Sequence, residues 1–341
     1  MTYRARSLFT SIALLILLGL LGATVPVPFV AVGRGPTFDT LGELDGSPVV
    51  TVADLPTFPT SGHLNMTTVG VTSGLTGVQA LGLWWAGDRQ LIPRNAVVRP
   101  GESDDAAAAR NAQLFADSQT AAKGAAVTYL NLPSTVYVEE LTPQSPVAGA
   151  LEKGDVLLAI DGQPIDGLPR LRAVMAETRP GQQVVVQERR GDAPPRDVPI
   201  TLGEMPGGNH HGLLGIVPAA RPVRDDQITI SLGDVGGPSA GLIFALAIVD
   251  KLTPGEITGG RFVAGTGAIH STGAVSQIQG IRFKMLAARE AGATVFLVPA
   301  DNCEEARDFG PEGLQTVRVA DLAGAVAALD LLRSGGTPAS C

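Results

Sequence analysis

The sequence predicts an α+β protein that begins with a transmembrane helix and continues into two folded domains. Three features support this prediction: an uncharged apolar run near the N-terminus, a middle segment of short strands separated by glycine and proline, and a C-terminal segment in which strands and helices alternate. At roughly 100 to 200 residues per domain, a chain of 341 residues has room for two or three domains.

The composition excludes several classes of protein. The formal net charge is -8, which disfavours nucleic-acid binding because that activity depends on lysine and arginine neutralising phosphate. The two cysteines, Cys303 and Cys341, cannot form a disulfide framework or a four-thiolate zinc site. One bridge between them is arithmetically possible, but we expect two isolated thiols.

The N-terminal segment, residues 1–33, is predicted to be a membrane anchor. Arg4 and Arg6 precede an uncharged run, and its apolar part is close to the ~20 residues that cross a bilayer. A cleaved signal peptide is the alternative, with Ala31-Val32-Gly33 as its small-residue site. In either case the basic flank stays in the cytoplasm, and the later domains lie outside it.

Residues 34–125 are predicted to form a linker and an α/β region. Residues 64–71 alternate as a strand, and an alanine-rich helix follows Ser103. Ser103 is suited to cap that helix, and Lys123-Gly124 is suited to end it.

Residues 126–202 have the strand and turn order of a small β-rich domain, and the segment SPVAGALEKGDVLLAIDGQPI resembles a bacterial PDZ domain. The resemblance implies that a peptide C-terminus is captured by strand addition between Val136-Tyr137-Val138 and the helix that starts at Leu168. The alternative is a small packing domain without a ligand. The polar segment after residue 202 contains His210 and His211, which point apart when adjacent in regular structure, so no metal site is predicted.

The strongest chemical signal lies in residues 212–335, where a strand, a glycine-rich turn and an apolar helix follow one another. Ser239 lies in that turn, at the start of the helix, where free amides and the positive end of the helix dipole suit an oxyanion. We expect the turn residues Gly236, Gly237 and Ala240 to supply those amides. The alternative is a serine that only caps the helix.

The G-x-S-x-G pattern around Ser239 also occurs in α/β-hydrolases, which need an acid and then a histidine after the serine. His270 is the only histidine after Ser239 in this sequence, and the interval of 31 residues leaves little room for the strands and helices of that fold. A serine-histidine-acid triad is therefore not predicted, and another residue must act as the base.

Lys284 is the candidate base. Residues 279–291 are predicted to form a helix on which Lys284 shares one face with Ile281, Met285 and Ala288. Burial among apolar side chains would lower the pKa of this lysine and leave a neutral amine that can accept a proton. Alternatively, its head group reaches solvent past the apolar face. The chain has only four lysines: Lys123, Lys153, Lys251 and Lys284.

The segment from residue 228 to about 302 resembles the proteolytic domain of Lon-type serine proteases. The similarity is carried by Gly237-Pro238-Ser239-Ala240-Gly241, by a Thr-Gly strand at Thr266, and by the helix entry Gly280-Ile281-Arg282-Phe283-Lys284. It implies a catalytic dyad of Ser239 and Lys284, with Thr266 orienting it.

The order of segments resembles that of bacterial membrane-anchored, PDZ-containing Lon-like serine proteases. No Gly-Lys dipeptide occurs in the sequence, so no Walker motif and no ATPase module are expected. The resemblance implies an endopeptidase without a cofactor, nucleotide or metal that acts on protein or peptide substrates through their C-termini and forms a homo-oligomer. In such proteins the PDZ domain can interrupt the protease fold, and residues 336–341 are predicted to be a flexible tail. The alternatives are a non-catalytic PDZ adaptor and a tail-specific protease, which also combines a PDZ domain with a serine and a lysine.

Overall fold

The computed structural model describes residues 3–204, 210–233 and 235–341, and the side chains of residues 4–7 are not described. Residues 205–209 of the predicted polar boundary, Asp234 of the glycine-rich turn, and the Arg4 and Arg6 side chains therefore lie outside the described part. The helices are α1 (Tyr3–Thr24), α2 (Gly77–Ala86), α3 (Asp104–Tyr129), α4 (Leu168–Ala176), α5 (Gly241–Leu252), α6 (Ile281–Glu290), α7 (Cys303–Phe309) and α8 (Leu322–Arg333). Short 3-10 turns span Arg94–Ala96 and Ala300–Asn302.

The strands form two large sheets and several short pairs. In chain order they are β1 (Phe29–Asp39), β2 (Glu43–Leu44), β3 (Ser47–Pro48), β4 (Val50–Val52), β5 (His63–Thr72), β6 (Gln90–Pro93), β7 (Ser134–Leu141), β8 (Val156–Ile160), β9 (Gln163–Pro164), β10 (Gln183–Arg189), β11 (Arg196–Thr201), β12 (Gly203–Glu204), β13 (Gly212–Leu213), β14 (Ile216–Pro222), β15 (Ile228–Ile230), β16 (Phe262–Gly265), β17 (Ala268–Ile269), β18 (Val275–Ser276), β19 (Val295–Pro299) and β20 (Gln315–Val319).

The N-terminal apolar segment differs from its prediction in two ways. It forms helix α1 only as far as Thr24, and the apolar residues from Phe29 onward belong to strand β1, where Val30 is fully buried. The predicted anchor 1–33 therefore ends too late. Over the part of the chain that the structure describes, no helix combines the length and the apolar character required to cross a membrane, so the structure does not support the predicted transmembrane helix.

The first large sheet joins strands that are far apart in the sequence. Its order is β20-β19-β16-β5-β1-β6, with β20, β19, β16 and β5 parallel and β1 antiparallel to its two neighbours. Strands from residues 29–93 thus complete the sheet that the C-terminal segment begins. The domain of β7 to β14 therefore interrupts, in sequence, the domain that contains the first sheet.

Helix α5 lies at the centre of the larger core. Its residues from Gly241 to Asp250 are all buried, and its side chains join the core cluster that includes Leu64 and Val263 of the sheet. A helix that is apolar on every side is stable in water only when other elements surround it. This burial fixes the N-terminal end of α5, which follows Ser239 directly.

The second large sheet belongs to the smaller domain and has the order β11-β10-β8-β7-β14, with β9 paired to β8. Its core contains Val136, Leu157, Ile160 and Val186. Strand β14 lies beyond the predicted boundary at residue 202, so the sheet of this domain extends further along the chain than the sequence indicated.

Helix α3 begins as predicted, because Ser103 Oγ accepts a hydrogen bond from the Ala106 amide. The predicted end at Lys123-Gly124 is wrong, since the helix continues to Tyr129. Gly124 does not end the helix. It allows α3 to pack closely on β14: a Cβ atom at this position would lie 2.0 Å from the Ala220 carbonyl oxygen.

The C-terminal tail is fastened at several points, which contradicts the prediction of a flexible segment at 336–341. Cys303 and Cys341 form a disulfide, so the expectation of two isolated thiols was also wrong. The amide of Arg318 donates to the Ala339 carbonyl, and Arg307 Nε donates to the Cys341 carbonyl, both at 2.9 Å. The cysteines are 38 residues apart, a separation that gave no sign of their proximity.

Candidate active site

The turn that carries Ser239 is held by helix α3. Ser118 Oγ donates a hydrogen bond of 3.0 Å to the Pro238 carbonyl, and the Gly237 amide donates to the Asn111 carbonyl at 2.9 Å. Both contacts come from a segment more than 100 residues earlier in the chain. Ser239 itself is half-buried and precedes Ala240, the N-cap residue of α5.

Lys284 projects from α6 toward this turn. The residue is 2% exposed, and its Nζ atom lies 2.6 Å from Ser239 Oγ and 3.0 Å from Thr266 Oγ1. Burial disfavours the ammonium form and lowers the pKa of Lys284 to about 7. The alternative in which the head group reaches solvent does not describe this structure.

Thr266 lies immediately after β16 and is fully buried. Its Oγ1 atom donates a 3.0 Å hydrogen bond to the Ser239 carbonyl while it accepts one from Lys284 Nζ. One hydroxyl thus contacts both members of the pair and restricts how the Lys284 amine and the Ser239 backbone can move relative to each other.

The three side chains have the arrangement that a serine nucleophile requires. At neutral pH a lysine with a pKa of about 7 is partly deprotonated, and a neutral amine 2.6 Å from a hydroxyl can accept its proton. His270 takes no part, since its Nε2 atom lies 3.1 Å from Ser276 Oγ.

The three residues predicted to bind an oxyanion differ in whether their amide is already hydrogen-bonded. The Gly237 amide already donates to Asn111 and cannot also bind an oxyanion in this arrangement, so that prediction is corrected. The amides of Gly236 and Ala240 donate to no acceptor among the described residues and remain candidates.

A pocket of about 250 Å³ opens beside Ser239 and Lys284. Its apolar walls come from Phe38, Met66 and Val69 of the first sheet together with Val235 of the turn. The sequence pattern does not identify Phe38 or Met66 as site residues. Strand alternation marks Met66 as a core residue, but nothing in its pattern indicates that it faces a site formed by Ser239, 173 residues later in the chain.

The structure contradicts the peptide-binding strand predicted at Val136-Tyr137-Val138. These residues lie in β7, which pairs with β8 on one side and with β14 on the other, so neither edge is free to accept a peptide. Residue periodicity marks a strand but does not reveal its position in a sheet.

The edge strands of this sheet are β11 and β14. Helix α3 covers β14 at Ala220, and helix α4 also lies beside this strand. The Gly215 carbonyl accepts a hydrogen bond from the Thr142 amide. Val138, the β7 partner of Pro218, donates its amide to the Asp155 carbonyl and therefore faces away from β14. Because backbone groups alternate in direction along an antiparallel strand, Pro218 and Ile216, two residues apart, both direct their backbone groups away from β7. Met175 of α4 and Ile216 are only partly buried against the domain core.

Among the described residues, no group of three or more histidine, cysteine or carboxylate side chains is arranged to hold a metal ion. His210 and His211 are both exposed.

Comparison with known families gives two matches. Residues 228–327 match the family model of the Lon protease (S16) C-terminal proteolytic domain, and residues 115–200 match that of the PDZ domain. The chain contains both domains. The curated relatives are consistent with this result: the Lon protease of Clostridioides difficile (strain 630) is 38% identical over 102 residues, and Lon protease 1 of Bacillus subtilis (strain 168) is 38% identical over 104 residues.

These alignments are partial. They cover 29% and 30% of this chain, and each covers 13% of the relative. Among solved structures, the PDZ domain of the SdrC-like protein from Listeria monocytogenes is 24% identical, with a TM-score of 0.23 and coverage of 24% of this chain and 85% of that one. The Lon-type domain and its relatives support serine peptidase activity.

Proposed function

We propose that this protein is a membrane-anchored serine endopeptidase that works without ATP and cleaves polypeptides of the bacterial envelope. The observation that carries the proposal is the 2.6 Å contact between Ser239 Oγ and the buried Lys284 Nζ. Structural lysines normally keep their charged heads in water, and a buried amine touching a hydroxyl is suited to proton transfer.

In the proposed reaction, neutral Lys284 takes the Ser239 proton as Oγ attacks the scissile carbonyl. The Gly236 and Ala240 amides stabilise the oxyanion that forms. The C–N bond then breaks as Lys284 returns the proton to the departing amine. Water then attacks the resulting ester and gives a proton to Lys284, which passes it to Ser239 Oγ as the ester C–O bond breaks, so that the carboxylic acid leaves and Ser239 and neutral Lys284 are restored.

The pocket beside the dyad supports a preference for substrates with an apolar side chain next to the cleaved bond. Phe38, Met66 and Val69 present no charge to that side chain, and desolvating a charged one there would be costly. A volume of about 250 Å³ is ample for an aliphatic side chain.

We assign substrate-tail capture to the groove between β14 and α4, where a peptide can extend the sheet at Ile216. Ile216→Pro would remove the outward-facing donor, and Met175→Glu would place a charge in the groove. Both variants should weaken binding of C-terminal peptides, whereas Tyr137→Ala on β7 should not. Loss of affinity in the Tyr137 variant alone would return the binding site to β7.

One observation supports attachment to a membrane, and another supports a location outside the cytoplasm. The described side chains of α1 are exposed and apolar over most of its length, which suits attachment to a membrane. The Cys303–Cys341 disulfide is typical of oxidising compartments.

The catalytic proposal is tested with Ser239→Ala and Lys284→Arg, using an unfolded protein such as casein as the substrate. Both variants should lose cleavage and keep the far-UV circular dichroism of the parent, and Ser239→Ala should also lose labelling by a fluorophosphonate. Lys153→Arg is the matched control, because Lys153 is exposed and far from the dyad in sequence, and it should keep full activity. Parent protein that binds peptides but neither cleaves nor reacts would instead be a non-catalytic adaptor.

A further inference from the structure

Helix α2 has an exposed apolar surface, formed by Val78, Leu81, Trp84 and Trp85 and called here the tryptophan face. These side chains are 55%, 66%, 66% and 86% exposed. The one polar side chain of the helix, Gln79, is used internally, because its Oε1 atom accepts a hydrogen bond from the Thr76 amide. Nothing on α2 therefore offsets the cost of leaving this surface in water.

The tryptophan face continues onto helix α1. The two helices pack against each other. An apolar groove of about 480 Å³ is lined by Leu18 of α1, by Leu81 and Trp84 of α2, and by Val27 and Phe29, which follow α1 in the chain. The capping box at Thr76 and Gln79 and the C-cap at Gly87 fix the ends of α2, so the exposed tryptophans belong to an ordered helix.

The arrangement of charge suggests what covers this surface. No charged residue occurs between Leu64 and Gly87, and Asp88 and Arg89 follow immediately. The indole N–H groups of Trp84 and Trp85 have no hydrogen-bond partner among the described residues. Indole rings with an apolar body and a free donor are favoured at membrane surfaces, where the ring enters the acyl boundary and the N–H meets the head groups.

A second copy of the chain fits this surface less well. The described side chains of α1 from Leu8 to Thr24 are exposed almost without exception, around the whole circumference of the helix. A partner protein would cover one side of such a helix, whereas lipid covers every side.

We propose that α2 is an interfacial helix whose tryptophan face lies in the head-group region of a lipid bilayer, beside α1. The inference rests on the proposed membrane attachment and adds a second contact to it. Since β1 leads directly from this region to Phe38 at the active-site pocket, the contact would hold the dyad at a fixed distance from the membrane surface and favour substrates cleaved close to it.

The chain offers a direct test, because Trp84 and Trp85 are its only tryptophans. The full-length protein is reconstituted into vesicles of equal parts phosphatidylcholine and phosphatidylglycerol, and flotation establishes attachment separately from fluorescence. Tryptophan emission should shift to the blue, lose sensitivity to the aqueous quencher acrylamide, and be quenched more by lipids brominated near the head group than by lipids brominated near the bilayer centre. Trp84→Phe and Trp85→Phe, measured singly, assign the depth of each ring.

A matched control moves the probe to another exposed apolar position. In a protein carrying Trp84→Phe, Trp85→Phe and Phe309→Trp, the reporter lies on α7, and brominated lipids should leave it unquenched. Vesicles that float with the protein while its native tryptophans stay open to acrylamide would overturn the inference and leave the attachment intact. If the protein failed to float with the vesicles, both the proposed membrane attachment and the interfacial role of α2 would be contradicted. A blue shift that depends on protein concentration and not on lipid would instead assign the face to a second copy.

Discussion

Ser239 and Lys284 are 45 residues apart in the sequence, and their Oγ and Nζ atoms lie 2.6 Å apart in the fold. Two separate elements produce this contact: a turn fixed by α3 on one side and the buried face of α6 on the other. The serine hydroxyl gains a proton acceptor only because Lys284 is withdrawn from water. The contact and the lowered pKa of Lys284 therefore have one structural cause.

The first prediction concerns the pH dependence of cleavage. The dyad needs Lys284 without its proton, and burial lowers the pKa of this amine to about 7. The value of kcat/KM for a peptide substrate should therefore be low in acid, rise as pH increases through about 7, and level off above it. The profile of the free enzyme reports this group directly. A rate that stays flat through neutral pH, or falls as the solution becomes more alkaline there, would contradict the role of Lys284 as base.

Thr266 should act as a positioning residue. Thr266→Val keeps the side-chain volume but leaves Lys284 Nζ and the Ser239 carbonyl without their shared hydroxyl partner. We expect kcat to fall by less than the roughly 10²- to 10⁴-fold effect of losing a general base. Because an accepted hydrogen bond favours the charged amine, its loss should also move the pH midpoint of kcat/KM downward.

Thr266→Ser restores the hydroxyl and should recover both the rate and the midpoint. If Thr266→Val lowered stability and rate but left the pH midpoint unchanged, its role would be only structural.

The reactive side chains of the site could be predicted from the sequence, but most of the residues that surround them could not. Ser239 and Lys284 could be predicted because motif spacing and helical periodicity are local properties, whereas the role of Thr266 was implied only by the resemblance to Lon-type proteases. The walls of the pocket could not, since Phe38 and Met66 reach it through pairing between strands that are distant in the chain. The same limit explains the error at Val136-Tyr137-Val138: alternation identifies a strand, whereas its neighbours depend on a segment 80 residues later.

Gly124 should be essential for packing between α3 and β14. Gly124→Ala improves helix propensity by up to about 1 kcal/mol, but its Cβ atom would lie 2.0 Å from the backbone oxygen of Ala220, which cannot move aside cheaply. We expect a net loss of about 1–3 kcal/mol in the free energy of unfolding, measured by urea denaturation.

Gly82→Ala is the matched control within α2, since no atom lies within 4 Å of the added Cβ. It should leave stability unchanged or raise it slightly. Equal effects of the two substitutions would show that the α3–β14 contact is not as close as described.

The disulfide should stabilise the C-terminal part of the protease domain. It closes a segment of 38 residues, and in the chain-entropy account such a link contributes about 2–4 kcal/mol. Reduction with dithiothreitol should therefore lower the Tm of the parent protein. The double variant Cys303→Ser, Cys341→Ser should have the lower Tm without reductant and show no further change when reductant is added.

Activity gives a second measure of the same link. Next to Cys303, the Asn302 side chain forms two hydrogen bonds of 2.9 Å with the backbone of Ile278, shortly before α6 and Lys284. Without the disulfide, the contact between Asn302 and Ile278 should be weaker. On heating, kcat of the reduced protein should therefore begin to fall at a lower temperature than kcat of the oxidised parent. A parent protein whose Tm and activity are insensitive to reductant, with its thiols shown to be free, would exclude the bridge as a stabilising element.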